Sequence, residues 1–426
     1  MIADLKPYAE YKESGLPWLE QVPGHWESER AKWLFTKMDR PVRPEDEVVT
    51  CFRDGMVTLR KNRRLRGFTE ATIYSGYQGI RNGDLVIHGM DAFAGAIGVS
   101  DSDGKGTPVY NVCQPRSGVN ARFYAHLVRE MSQSQWILAL AKGIRERSTD
   151  FRFETFGNQR VPLPPPAEQA TIVRFLDWAN GRLERAIRAK RKVIALLGEQ
   201  KQAIIHRAVT RGLDASVPLK PSGIPWLGDI PQHWEVRRVK QVTSILRGKF
   251  SHRPRNDASL YDGPYPFIQT GVVAQASKFI MSYSQTLNDK GLAVSKLFPS
   301  GTLVMTIAAN IGEVAVLTFD ACFPDSIVGF VPRASADRDY LYMVFVCMKP
   351  ELLREAPVNT QGNLNVERIG AMGMPCPPLG EQGNIARQAD QETAAFDTAI
   401  ARLEREIELL REYRTRLVTD VVTGKL

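Results

Sequence analysis

Two stretches of the chain carry apolar side chains at alternating spacings of four and three residues, the 3.5-residue period that keeps one helix face turned toward a partner. In the first, Leu183, Ile187, Ile194, Leu197 and Ile204 form this seam, with Lys190, Lys201 and Ala208 completing the register. In the second the seam is Phe396, Ile400, Leu403, Ile407, Leu410, Leu417 and Val421, interrupted by Arg414. The two registers superpose at one constant offset, from Leu183 against Phe396 to Ala208 against Val421. The spacing predicts two coiled-coil helices, the first running from about Ala167 to Ala208 and ~60 Å long at 1.5 Å per residue. Elsewhere, short runs such as Asp84–Ile87 and Gly301–Ile307 are broken by Gly, Asn and Asp, as in short strands joined by turns. The fold class is therefore α+β, mixed α/β globular parts alternating with long helices.

The helices are one part of a longer internal repeat. Ser14-Gly-Leu-Pro-Trp-Leu-Glu-Gln-Val-Pro-Gly-His-Trp-Glu27 returns as Ser222-Gly-Ile-Pro-Trp-Leu-Gly-Asp-Ile-Pro-Gln-His-Trp-Glu235. Val161-Pro-Leu-Pro-Pro-Pro-Ala-Glu-Gln169 returns as Met374-Pro-Cys-Pro-Pro-Leu-Gly-Glu-Gln382, and the helical stretches end in Val209-Thr210 and Val422-Thr423. Each half thus runs globular part, proline motif, long helix. The prolines fix where each helix starts, and Glu168-Gln169 and Glu381-Gln382 fall in its first turn, where acidic groups favour the helix dipole. Between the shared ends only scraps align, such as Ile97-Gly98 with Ile311-Gly312 and the segments near Phe123 and Tyr340. That is the pattern of a duplication whose interiors have since specialised. The recurring His25 and His233 sit beside Trp26 and Trp234 and are read as parts of a packing unit rather than as catalytic groups.

The paired openings, the Pro-x-Pro-Pro…Glu-Gln motifs and the heptad helices together resemble the specificity subunit of type I restriction-modification systems, over both halves end to end. The resemblance implies target recognition domain 1 at residues 1–165, conserved helical region 1 at 166–213, target recognition domain 2 at 214–378 and conserved helical region 2 at 379–426. It implies that the two helical regions form an antiparallel coiled coil with pseudo-twofold symmetry, and that each recognition domain reads one half of a bipartite, asymmetric DNA target. The implied partners are double-stranded DNA, two methyltransferase subunits, and restriction/translocase subunits. The implied cofactors of the complex, S-adenosylmethionine, ATP and Mg, belong to those partners and none to this chain. Half-sites read from one side of the duplex would lie about one helical turn, ~34 Å, apart.

Composition agrees with a nucleic-acid partner without demanding one: 56 Lys+Arg stand against 47 Asp+Glu, a net charge of +9. The first helix is strongly basic, with Arg182, Arg185, Arg188, Arg191 and Lys192, whereas the second adds Glu404, Glu406, Glu408 and Glu412. This complementarity favours pairing within the chain over self-pairing. The seam cations Lys201 and Arg414 are read as side chains that carry their charge outward to solvent. Gly198 is the one residue expected to soften the first helix, by ~1 kcal/mol relative to Ala. Five scattered cysteines without a C-x-x-C pair argue against a zinc knuckle or a disulfide framework and suit a cytoplasmic location. The most apolar stretch, Thr302–Phe319, is interrupted by Asn310, Gly312 and Glu313, so no membrane span is expected.

No enzyme motif is found. Arg247-Gly-Lys-Phe250 and Gly104-Lys-Gly-Thr107 lack the upstream glycine of a P-loop, and neither Pro-Pro site has the Asn/Asp and aromatic flanks of an amino-methyltransferase loop. Pro324-Asp325 has no Glu/Asp-x-Lys to share a metal, and the six histidines are scattered. Candidate DNA contacts are the forked and amide side chains suited to phosphates and base edges. They are Arg63, Arg64, Arg66, Arg145 and Arg147 in the first globular part, and Arg247, Lys249, Arg253, Arg255, Asn359, Gln361 and Asn363 in the second. The competing expectation is a scaffold or DNA-binding protein of the same architecture without active partners.

Overall fold

The computed structural model describes residues 8–63, 76–140, 150–355 and 364–426. The chain forms two compact units, residues 1–190 with 404–426, and residues 191–403. The dividing points fall inside the two long helices, Pro166–Arg211 and Leu379–Val422, so each unit holds one end of both.

In the first unit the central sheet has four antiparallel strands in the order Phe35–Lys37, Tyr110–Pro115, Leu85–His88, Ile97–Val99. The helix Ala121–Gln133 begins where the Asn120 side chain accepts the backbone N–H of Arg122 and Phe123. This helix buries Phe123, Tyr124, Leu127, Val128 and Met131 in the main core together with Leu85 and Ile87 of the sheet. In the second unit the sheet runs Thr243–Arg247, Ile327–Pro332, Leu303–Thr306, Val314–Leu317, Phe279–Ile280, with only the last pair parallel. The helix Arg338–Glu355 buries Tyr340, Leu341, Val344, Phe345 and Met348 in the core that also holds Leu303, Met305 and Phe330.

The first four strands therefore follow one order in both units, although their sequences align only in scraps. A strand needs alternating burial and turn residues rather than particular side chains, so topology outlasts identity. The apolar stretch Thr302–Phe319 is a hairpin, Leu303–Thr306 against Val314–Leu317, and Asn310 and Gly312 lie in its turn, with Gly312 at φ +80°. Among the described residues no helix is long and apolar enough to cross a membrane.

The long helices contain 46 and 44 residues, ~69 and ~66 Å at 1.5 Å per residue. The first continues unbroken through Gly198, where an added Cβ would meet nothing. Every predicted seam residue is buried or half-buried, whereas Val193, Leu196, Leu409 and Tyr413 on the flanks are exposed. In the first unit Glu184 pairs with Arg414 and Lys190 with Glu406, so one helix ascends while the other descends. In the second unit Lys201 reaches Asp397 at 2.5 Å. The seam cations thus do not simply run out to solvent: each is drawn to a carboxylate of the facing helix, since their long stems let them cover the seam and still find an acid. The α+β fold with long antiparallel helices is the one expected.

Candidate nucleic-acid interface

The repeated motifs meet in three dimensions at the root of each long helix. In the first unit Glu168, in the first turn, accepts hydrogen bonds from the Trp26 indole at 2.9 Å, from the Tyr8 hydroxyl, and pairs with His25 Nε2 at 2.9 Å. In the second, Glu381 accepts the Trp234 indole at 3.0 Å and pairs with His233 Nε2 at 2.9 Å. Both tryptophans are fully buried. Burial opposes the charge on Glu168, but the hydrogen bonds from Tyr8, His25 and Trp26 outweigh it and hold the carboxyl below its ordinary pKa.

The neighbouring glutamines complete the joint. Gln169 donates to the Pro164 carbonyl at 2.8 Å and accepts the Asn120 backbone N–H at 2.9 Å, and Asn120 is the cap of helix Ala121–Gln133. Gln382 donates to the Pro377 carbonyl at 2.9 Å and accepts the backbone N–H of Asp337, the residue before helix Arg338–Glu355, at 2.8 Å. The far end of the other long helix closes on the same tryptophan. Gly424, at φ +77°, lies against Pro23 and Trp26, and Gly212, at φ +72°, lies against Trp234. His25 and His233 are thus part of a structural clamp, as expected of a packing unit.

The candidate DNA contacts fall into two described groups. In the second unit Gly248 presses the chain directly onto the 323–324 turn, where an added Cβ would come within 2.1 Å of the Pro324 carbonyl. Gly248 N–H donates to Ile327 and Lys249 N–H to Phe323, which locks the approach. As a result three arginines gather on Asp325: Arg255 pairs with its carboxylate at 2.5 Å, Arg253 stands at 3.9 Å, and Arg247 donates to its carbonyl at 3.3 Å. Lys249 is exposed on the same segment and makes no ion pair among the described residues.

In the first unit Arg63 pairs with Asp54 at 2.7 Å, and its guanidinium lies 4.4 Å from the Phe52 ring centroid. Nearby Arg53 pairs with Asp91 and Lys61 with Glu47, so these cations are largely matched by local acids. Arg64, Arg66, Arg145, Arg147, Asn359, Gln361 and Asn363 lie outside the described residues. Asp325 organises these arginines, a role its sequence context, weighed only for metal binding, does not reveal. Glu168 and Glu381 are legible in the sequence as first-turn acids but not as partners of the tryptophans, for which the joint recurrence of both motifs was the available signal.

Burial pushes the Cys51 and Cys347 thiols up to about 12 and Cys113 higher still, which keeps them protonated. No group of three His, Cys, Asp or Glu residues poised to hold a metal occurs among the described residues.

Residues 231–409 match the type I restriction modification DNA specificity domain. In this match and in the relatives that follow, the chain is similar to type I specificity subunits. It is 24% identical over 285 residues to the type I restriction enzyme MjaVIII specificity subunit of Methanocaldococcus jannaschii, covering 64% of this chain and 63% of that protein. It is 23% identical over 220 residues to the EcoKI specificity subunit of Escherichia coli K12, covering 47% and 44%. The chain thus spans about half to under two thirds of the length of these relatives. A solved structure from work on complex assembly and conformational transition of the type I R-M system shares the fold, with TM-score 0.65, 18% identity and coverage of 95% of this chain and 99% of that one.

Proposed function

We propose that the chain directs a type I restriction-modification complex to its DNA target and leaves the chemistry to partner subunits. Residues 1–165 and 214–378 each read one half of a bipartite, asymmetric sequence. Residues 166–213 and 379–426 set the separation of the half-sites and receive two methyltransferase subunits, to which restriction/translocase subunits add. S-adenosylmethionine, ATP and Mg act on those partners, and the complex works on double-stranded DNA in the cytoplasm.

The observation that carries this reading is the duplicated clamp. The same Trp–Glu–Gln joint roots a recognition-type domain on a long helix in both units, while the cations carried by the two domains differ. Conserved mounting with divergent display is what two readers of unlike half-sites require, because base contacts specify and the frame only positions. The test is co-expression with the methyltransferase subunit of the same system and genome-wide mapping of methylated bases. One new asymmetric motif, two short blocks about a fixed gap, is expected; a stable complex that adds no methylation would defeat the reading.

A further inference from the structure

We infer that Asp325 is a positioning residue for DNA readout: it aims the Arg255 guanidinium, with Arg253 and Arg247 beside it, at an acceptor pair on the DNA. The inference rests on the reading of the chain as a DNA-specificity subunit and assigns part of that specificity to one side-chain cluster.

Segment 247–255 leaves the sheet edge at Arg247 and carries Arg247, Lys249, Arg253 and Arg255 within nine residues, all exposed. Flexible arginines on such a segment would lose much rotamer freedom on binding a base. Here three features remove that freedom beforehand. Gly248 lets the backbone sit against the 323–324 turn at a distance no side chain would allow. The Ser295 hydroxyl donates to the Lys249 carbonyl at 2.8 Å and Ser251 N–H donates to the Val294 carbonyl at 3.0 Å, fixing the segment on its other side. Arg253 Nη1 turns back to the Phe250 and His252 carbonyls, both at 2.8 Å.

Asp325 then engages Arg255 through one nitrogen alone, Nη2 to Oδ1 at 2.5 Å. A guanidinium has five donors in a planar fork, so one edge is held while the other keeps its donors for an external acceptor pair. Nη2 has one N–H on each edge of the fork, and Nε and Nη1 make no hydrogen bond among the described residues, so one edge stays open for two acceptors; the side chain is 47% exposed. A single carboxylate cannot neutralise three guanidinium groups, so the cluster keeps a net positive field for a polyanion. Two acceptor pairs on DNA fit this edge: O6 and N7 of guanine in the major groove, or two oxygens of a phosphate.

The experiment uses the full chain in complex with its methyltransferase subunit, as wild type and as Arg255→Ala, Arg255→Lys, Asp325→Asn and Asp325→Glu. Motifs are mapped by methylation, and affinity is measured against salt on the mapped target duplex and on an unrelated duplex of equal length. For a guanine edge, Arg255→Ala relaxes one position in one block, lowers the target-over-unrelated ratio about 5- to 150-fold, and leaves the other block and the gap intact. For a phosphate, it weakens both duplexes alike and lowers the salt slope by about 1. Asp325→Asn reproduces the Arg255→Ala change and Asp325→Glu restores it in part, because only the carboxylate aims the fork. Arg255→Lys keeps charge and fold but loses the bidentate edge, and follows Arg255→Ala if a base is read. A wild-type motif that Arg255→Ala and Arg255→Lys leave unchanged, at unchanged affinity, overturns the DNA contact. Asp325→Asn behaving as wild type overturns the positioning role. A wild-type complex that yields no bipartite motif would instead defeat the functional reading itself.

Discussion

Glu168→Ala removes the one acceptor on which three side chains of the first unit converge. The Trp26 indole N–H, in a fully buried ring, loses its acceptor, and a buried donor left unpaired costs about 1–3 kcal/mol. Removing an acidic group from the first helical turn costs a further ~0.3–1 kcal/mol through the helix dipole. The sum, about 1–4 kcal/mol, makes local opening of the helix start roughly 10- to 700-fold more frequent at 1.4 kcal/mol per factor of ten. Amide hydrogen exchange of peptides spanning 160–175 reads this opening directly. Glu168→Gln keeps an acceptor for the indole but loses the charge, so an intermediate rise is expected. Glu381→Ala is the matched change in the second unit, where Trp234 makes the same bond. If Glu168→Ala leaves exchange in 160–175 within threefold of wild type, the carboxylate does not hold the joint.

Further outcomes follow from single contacts. Ile187 is buried in the helix seam, and Ile187→Asp is expected to cost at least the ~2–5 kcal/mol of an Ile→Ala truncation, read as a fall in the denaturant midpoint. A double-mutant cycle on Lys201 and Asp397 should give a coupling below ~1 kcal/mol, because the carboxylate is half exposed; a larger value would mean the pair sets the register. Gly424→Ala places a Cβ within 2.4 Å of Pro23 at φ +77°, and a loss of about 1–3 kcal/mol is expected in the same assay. Burial, aided by Arg129 and Arg122, pushes the His126 imidazole down to about 4. Between pH 6.5 and 4 the unfolded chain binds a proton that the folded chain refuses, so stability falls by about 3 kcal/mol as pH drops through that window. His126→Gln should flatten this limb of the midpoint-against-pH curve.

The helices were legible in the sequence because their signal is local: a 3.5-residue period needs only neighbours within a few turns, and Leu183 to Ala208 and Phe396 to Val421 keep its spacing, with only Lys190, Lys201 and Arg414 replacing apolar residues. The roots of the helices were half legible. Proline and Glu-Gln marked the start, but Glu168 finds Trp26 at a separation of 142 positions, and periodicity holds no information about such a pair. The shared strand order of the two sheets was not legible, since Leu85–His88 and Leu303–Thr306 have alternation and burial in common rather than residues. For the same reason Arg247-Gly-Lys249, read as a failed phosphate loop and as a pair of candidate DNA contacts, showed its packing beside Asp325 only in three dimensions. Gly248 is there for a close backbone approach, which a linear reading cannot tell from a turn.

The arrangement of these constraints explains why the interiors could diverge while the ends did not. Gln169 and Gln382 bond to backbone groups, the carbonyls of Pro164 and Pro377 and the N–H of Asn120 and Asp337. A backbone partner asks nothing of the residue that carries it beyond its φ and ψ, so the helix following Asn120 or Asp337 is free to change its side chains. The tryptophan pocket is different: it closes on an indole N–H, a first-turn carboxylate and a glycine at positive φ, and no substitution satisfies all three at once. The shared frame is therefore held by the residues of the two clamps and of the seam. Segments such as 247–255 lie outside that frame, so an arginine there can change without disturbing how the domain is mounted.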